Sequence, residues 1–404
     1  MPTRWICCQL GAREHYAIPR ALFATGQLRH LITDIWTYPG SMFAKISGSR
    51  GRERYHSDLY KAPITAWNWQ LAVFEFQNRH SGKNSGKVWE LAMERNAWFQ
   101  VHALQVLESL SQASKEPTTL FSYSYTALRL FEFAKKAGWQ TVLGQIDPGP
   151  EEERLVKELN AGAPDFSGGW SPAPQEYWKQ WHRECELADT IVVNSEWSKE
   201  ALVAEGIPEE KIRIIPLVYQ PPAAAEHFQR VYPDRFTQQR PLQALFLGQI
   251  NLRKGVGPIL EAVELLEGLP IRFRMVGPVQ IALPERLRNH PQIEWVGAVP
   301  RGSVAAAYRD ADIFLFPTMS DGFGLTQLEA QSWQLPIIAS NRCGAVVKHQ
   351  ESGWVLQEVT DAGLADILRK CVNEPQTLRR MASASSAKLA GLDSLREALV
   401  SCVS

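Results

Sequence analysis

Residues 318–340 read TMSDGFGLTQLEAQSWQLPIIAS, directly after the apolar run 313–317, Ile-Phe-Leu-Phe-Pro. A short run of this kind reads as a buried strand ending at Pro317. The loop that follows holds Asp321, Gly322, Phe323 and Gly324, and a helix is expected from about Gly324. Such a strand, loop and helix would aim the unpaired N–H groups of Gly324, Leu325 and Thr326 at one point, a setting suited to phosphate or sugar hydroxyls. Gly322 and Gly324 let the backbone come close to a ligand. Asp321 and Glu329, eight positions apart, would grip two different polyol groups. Taken singly, Asp321 is equally a helix cap and Glu329 a half-exposed helix residue. Those readings leave the ordered string after a strand unexplained.

Outward from this unit the same alternation fills the chain. In the second half, strands are expected over 244–248, 272–277, 293–297, 313–317 and 336–340, with helices over 257–266, 302–309 and 324–333. In the first half, strands are expected over 5–10, 30–35, 119–123, 141–146, 190–195 and 211–216, with helices over 127–137 and 196–205. Short buried strands alternating with helices imply two parallel, Rossmann-like sheets whose ligands collect at the carboxyl ends of the strands, in a central cleft between the domains. A length of 404 residues agrees with two domains. The proline-rich stretch 218–241 marks a linker. The division is then 1–217, linker 218–241, 242–385, and a tail over 386–404 expected as a helix packing back on the first domain.

Lys plus Arg and Asp plus Glu balance at 43 each, which argues against a nucleic-acid-binding protein. No apolar run approaches the roughly 18–20 residues that span a bilayer. The apolar stretch at the start is too short for a secretory signal. Cys7, Cys8, Cys185, Cys343, Cys371 and Cys402 show no metal-type spacing and read as reduced packing thiols of a cytoplasmic protein.

A second chemical element follows the first strand of the second domain: LGQINLRKG over 247–255. Arg253 and Lys254 stand together in a strand-end loop, where a planar fork and a point charge suit the oxygens of a diphosphate. The bland reading is a solvated basic loop.

These strings resemble the family-4 retaining glycosyltransferases of the GT-B fold, the glycosyl transferases group 1. GQINLRKG, IEWVGAV, YRDADIFLFPT and DGFGLTQLEAQSWQLPIIAS occur in the family's order and spacing. The likeness is close over about 190–356 and weak over the first 180 residues. It implies transfer of a hexose from a nucleotide-diphosphate sugar, UDP-glucose by preference, to a hydroxyl acceptor with retention and without a metal or other cofactor. Arg253 and Lys254 would neutralise the departing diphosphate, and Glu329 would accept the ribose hydroxyls. Asp321 would hold the transferred sugar with the amides of Gly322, Phe323 and Gly324, Leu325 and Thr326 would lie by the phosphates, and Gly248 would contact the donor. The loop beginning at Gly297 would flank the base. The family's first acidic residue is usually Glu and is Asp321 here; the glycine usual before Pro336 is Leu335.

On the first domain, Gly11 stands where the family has a glycine-rich loop facing the donor, with Arg13, His15 and Tyr16 beside it as acceptor-side candidates. The family's histidine after a later strand is absent, and Gln145 or Asp147 takes its place. Trp36, Trp67, Trp69, Trp89 and Trp98, interspersed with basic stretches over 50–56 and 79–87, read as core aromatics with solvated charges, as sugar-stacking platforms, or as a patch touching an anionic membrane face from the cytoplasm. Trp170, Trp178 and Trp181 lie near where an acceptor would enter. Two other functions stay open: a non-catalytic nucleotide-sugar-binding protein and, on the same architecture, a nucleotide-sugar epimerase. A redox Rossmann enzyme is disfavoured because Gly11 stands alone, without G-x-G-x-x-G.

Overall fold

Strands apolar on both faces must be covered by helices on both faces, and each half of the chain solves this in the same way. In a computed structural model, which describes residues 3–46, 51, 53–78, 87–166, 168–385 and 390–403, the first half forms β1 (Arg4–Gln9), β2 (Leu28–Thr33), β3 (Ile64–Thr65), β4 (Thr118–Tyr123), β5 (Gln140–Gly144), β6 (Thr190–Val193) and β7 (Ile212–Ile214). They make one seven-stranded sheet in the order β3-β2-β1-β4-β5-β6-β7. The second half contributes β8 (Leu242–Leu247), β9 (Ile271–Val276), β10 (Ile293–Gly297), β11 (Ile313–Phe316), β12 (Ile337–Ser340) and β13 (Gly353–Leu356), in the order β10-β9-β8-β11-β12-β13. Neighbouring strands in both sheets are parallel. The sequence reading lacks β3, a two-residue edge strand, and β13, which follows a polar turn without its own helix between.

The helices used below are α1 (Ala17–Ala24), α2 (Val88–Ala113), α3 (Leu128–Lys136), α4 (Pro150–Gly162), α5 (Gln175–Leu187), α6 (Glu196–Ala204), α7 (Val256–Leu265), α8 (Val304–Asp310), α9 (Leu325–Ser332), α10 (Asp361–Asn373) and α11 (Leu392–Ser401). Strand order reverses between β1 and β4 in one sheet and between β8 and β11 in the other. Crevices open at such switch points, so the loops after β1, β8 and β11 are where ligands are expected to lie.

The stretch 218–241 is largely part of the second domain. Tyr232 and Phe236 are buried in its core. Arg230 donates to the carbonyls of Tyr308, at 2.8 Å, and Trp333, at 2.8 and 3.1 Å. The Tyr232 hydroxyl donates to the Asp312 carbonyl at 2.8 Å. At the other end, α11 lies on α1 and inserts Leu395 and Leu399 into the first domain's core.

Candidate functional site

Two loops of the second domain are locked together before any side chain reaches the cleft. The Arg253 carbonyl accepts from Met319 N at 2.8 Å and Thr318 Oγ1 at 3.1 Å. Asn251 Oδ1 accepts from Lys254 N at 3.1 Å and fixes the turn. Gly255 then has φ 72°, and a Cβ there would sit 1.8 Å from the Pro317 carbonyl oxygen. Only glycine lets the β8 loop close on the end of β11.

This closure brings Arg253, Lys254 and Asp321 together. Lys254 Nζ pairs with Asp321 Oδ2. Burial pushes the Asp321 carboxyl up, but Lys254 and Arg253 outweigh it and hold the group below the ordinary carboxylate range. Asp321 and Lys254 line a 370 Å³ pocket with Gly248, Phe323, Gly324, Leu325 and Thr326. The first turn of α9 has no side-chain cap, so it faces that pocket with its amide end. A Cβ on Gly322 would lie 2.3 Å from the Ile146 carbonyl oxygen, so its bareness admits the first domain's backbone. Phe323 is buried against Gly344.

Glu329 lies further along α9 and lines an adjoining 850 Å³ pocket with Val299, Tyr308, Thr326 and Tyr219. The Tyr308 hydroxyl donates to Glu329 Oε2 at 2.8 Å and orients the carboxylate. Gly297 stands at the end of β10, where its carbonyl accepts from Gly277 N at 2.8 Å; Val299 is the member of that loop lining the pocket.

The first domain supplies the opposite wall. After β1, Glu14, His15 and Tyr16 all have left-handed backbones, with φ of 50°, 54° and 60°. Such strain is retained where surrounding structure enforces it. Glu14 lines both of these pockets, and burial pushes its carboxyl up to about 7 against the pull of the Tyr123 hydroxyl and Arg13. His15 lines the larger pocket. Tyr16 borders the same pocket but is 1% exposed, its ring edge-on to Trp36 at 5.2 Å in the core. Gly11 donates to Asp34 Oδ1 at 3.0 Å and borders a 540 Å³ cavity with Arg13, Arg54 and Arg95; Arg13 also lines the Lys254 pocket. Asp34 is fully buried and takes Arg54 and Arg95, each at 3.1 Å.

Asp147 follows β5 across the cleft, its Cα 3.4 Å from where a Cβ on Gly322 would lie. Its Oδ1 accepts from the Tyr125 hydroxyl at 2.6 Å, Gly149 N at 2.9 Å and Gln145 Nε2 at 3.1 Å, and it lines a third cavity, of 740 Å³, which also reaches Arg253. Gln145, 2% exposed, is a support: its Oε1 accepts from Trp181 Nε1 at 2.9 Å.

Contacts made across the cleft by three first-domain residues were not read from the sequence. Glu152, in the first turn of α4, accepts from Arg253 Nη1 at 3.3 Å and Ser320 Oγ at 2.7 Å. Trp197 Nε1 donates to Ser320 Oγ at 3.0 Å. Phe166, just after α4, is buried in the second domain's core. Within the sequence Glu152 is one of three consecutive acids after Pro150, an ordinary helix start, and no local signal separates it from its neighbours. Of the tryptophans, Trp36 is core, Trp67 and Trp98 pack on core, and Trp69 is 56% exposed. Most of the basic stretch 79–87, and Arg50 and Arg52, lie outside the described residues. Among the described residues, no group of three or more His, Cys, Asp or Glu is gathered as a metal site, and no helix is long and apolar enough to cross a membrane.

Residues 233–388 match the family described as Glycosyl transferases group 1. Over 180 residues the chain is 27% identical to the O-antigen chain mannosyltransferase B of Escherichia coli, covering 40% of this chain and 46% of that protein. Over 151 residues it is 32% identical to the D-inositol 3-phosphate glycosyltransferase of Corynebacterium efficiens, covering 34% of this chain and 36% of that one. The chain thus spans less than half the length of these relatives. The crystal structure of Anabaena Alr3699/HepE in complex with UDP superposes with a TM-score of 0.62 at 13% identity, over 99% of both chains.

Proposed function

We propose that this chain, a GT-B protein whose second domain is of the glycosyl transferases group 1, is a metal-independent, retaining family-4 enzyme that moves a hexose from a UDP sugar to an acceptor hydroxyl. The observation that carries the reading is the joint placement of Arg253, Lys254 and the open α9 N-terminus around one pocket, with Glu329 in the next. Two cations and a helix end offset negative charge as it develops on a leaving diphosphate. The C1–phosphate bond breaks, the C1–acceptor bond forms on the same face, and the acceptor proton passes to the departing phosphate oxygen. Asp321 holds hydroxyls of the transferred sugar, and Glu329, set by Tyr308, takes the ribose.

UDP-glucose is the donor favoured by likeness to HepE, whose structures hold UDP, UDP with glucose, and UDP-glucose. Calorimetric titration with UDP, GDP and ADP, then with their sugars, tests this. UDP is expected to bind selectively. Glu329→Ala is expected to weaken it about 10-fold or more, the worth of a charged hydrogen bond. Absence of binding by all three nucleotides would overturn the proposal.

A further inference from the structure

The 740 Å³ cavity lies between the domains on the side of Arg253 away from the α9 pocket, and Arg253 lines both spaces. Its first-domain wall is aromatic. Tyr125 and Tyr177 stack with centroids 4.7 Å apart and planes 18° from parallel, and Trp178 and Trp89 stand against Tyr177 at 5.1 and 5.0 Å. Trp89 Nε1 donates to the Ser171 carbonyl and Trp178 Nε1 to Glu153 Oε1, each at 3.0 Å, which fixes the indole rings. Trp170 completes the wall and is 37% exposed. Across from it the second domain presents Asn251 and Gln280, joined at 3.0 Å. Tyr125 and Trp178 pack with one side on the first domain's core, but Trp89, Tyr177 and Trp178 are only half-buried, and the facing wall carries amides.

We infer that this cavity is a saccharide-binding site, in which the aromatic wall takes the C–H faces of sugar rings and the carboxylates and amides take their hydroxyls. A volume of 740 Å³ is ample for a small-ligand site, and flat rings with a few fixed polar groups are how an amphipathic ring is held. Asp147, Glu152 and Arg253 form its inner end. A saccharide seated there presents a hydroxyl toward the Lys254 pocket, which makes it the acceptor; that assignment, unlike the binding itself, rests on the transferase reading.

The test uses the full chain, nucleotide-free, with cellotriose, maltotriose and chitotriose as probes, followed by saturation-transfer NMR and tryptophan fluorescence. At least one probe is expected to bind at millimolar concentration and quench fluorescence. Trp170→Ala and Trp89→Ala are expected to weaken it about 10-fold each, the worth of one stacking face, while UDP affinity measured separately stays as in the parent. Failure of all three probes at millimolar concentration overturns the inference, as does unchanged binding in both variants. Probe binding without UDP binding upholds the saccharide site and removes the donor reading instead.

Discussion

Lys254 pairs with Asp321 inside a 370 Å³ pocket; on the proposed transferase reading, an entering diphosphate draws the ammonium from the carboxylate. The exchange is cheap because Arg253 remains beside Asp321 to stabilise its charge. On the same reading it favours the transition state, where charge on the phosphate is greatest. Lys254→Ala is therefore expected to lower kcat by about 10²–10³ with UDP affinity reduced far less; steady-state kinetics at saturating donor check this, and a kcat within threefold of the parent would remove Lys254 from catalysis. These residues were legible because each follows a strand within an ordered string. Tyr308 and Ser320 were not, because their roles are hydrogen bonds to residues distant in sequence, at 2.8 Å to Glu329 and 2.7 Å to Glu152.

At the scale of elements, α11 shows how the two domains are tied beyond the linker. It follows the second domain in sequence yet packs on α1 of the first, with the Cys402 carbonyl accepting from Thr190 Oγ1 at 3.3 Å. Leu399 is fully buried there. Leu399→Ala removes its buried side chain and leaves a cavity, which costs about 2–5 kcal/mol, and should lower the first domain's unfolding midpoint in a thermal scan while the second domain's transition stays put. A single unshifted transition would show that α11 contributes no stability to the first domain. The sequence pattern reached the strands of both sheets, β3 and β13 excepted, to within a few residues because parallel strands are continuous apolar runs. It failed at 218–241, where proline density suggests a free linker, because Tyr232, Phe236 and Arg230 gain their burial from tertiary packing that no local period announces. The aromatic wall of the third cavity was equally hidden: Trp89, Trp170 and Trp178 come from separate segments, and only the fold puts them side by side.

Across the whole molecule, the cleft is closed by contacts that join α4 to the second domain, and Glu152 is the titratable one among them. In the closed form burial pushes its carboxyl up to about 7, against the pull of Arg253 and the Ser320 hydroxyl. In an opened cleft it returns to water and to the ordinary value of about 4.3. The closed form therefore binds this proton more tightly, so the contribution of Glu152 to closure is full below about pH 4.3 and is lost as pH rises to about 7. The Arg253 pairing moderates that loss without reversing it, since the net shift is upward. Small-angle scattering of the nucleotide-free chain should show the radius of gyration rising between about pH 5 and pH 7.5. Glu152→Gln keeps an acceptor for Ser320 and Arg253 but carries no titratable proton, and its scattering should be flat over the same range. A flat parent curve, or a variant that expands as the parent does, would move the control of closure from Glu152 to the apolar contact of Phe166. Phe166→Ala would then open the cleft at every pH.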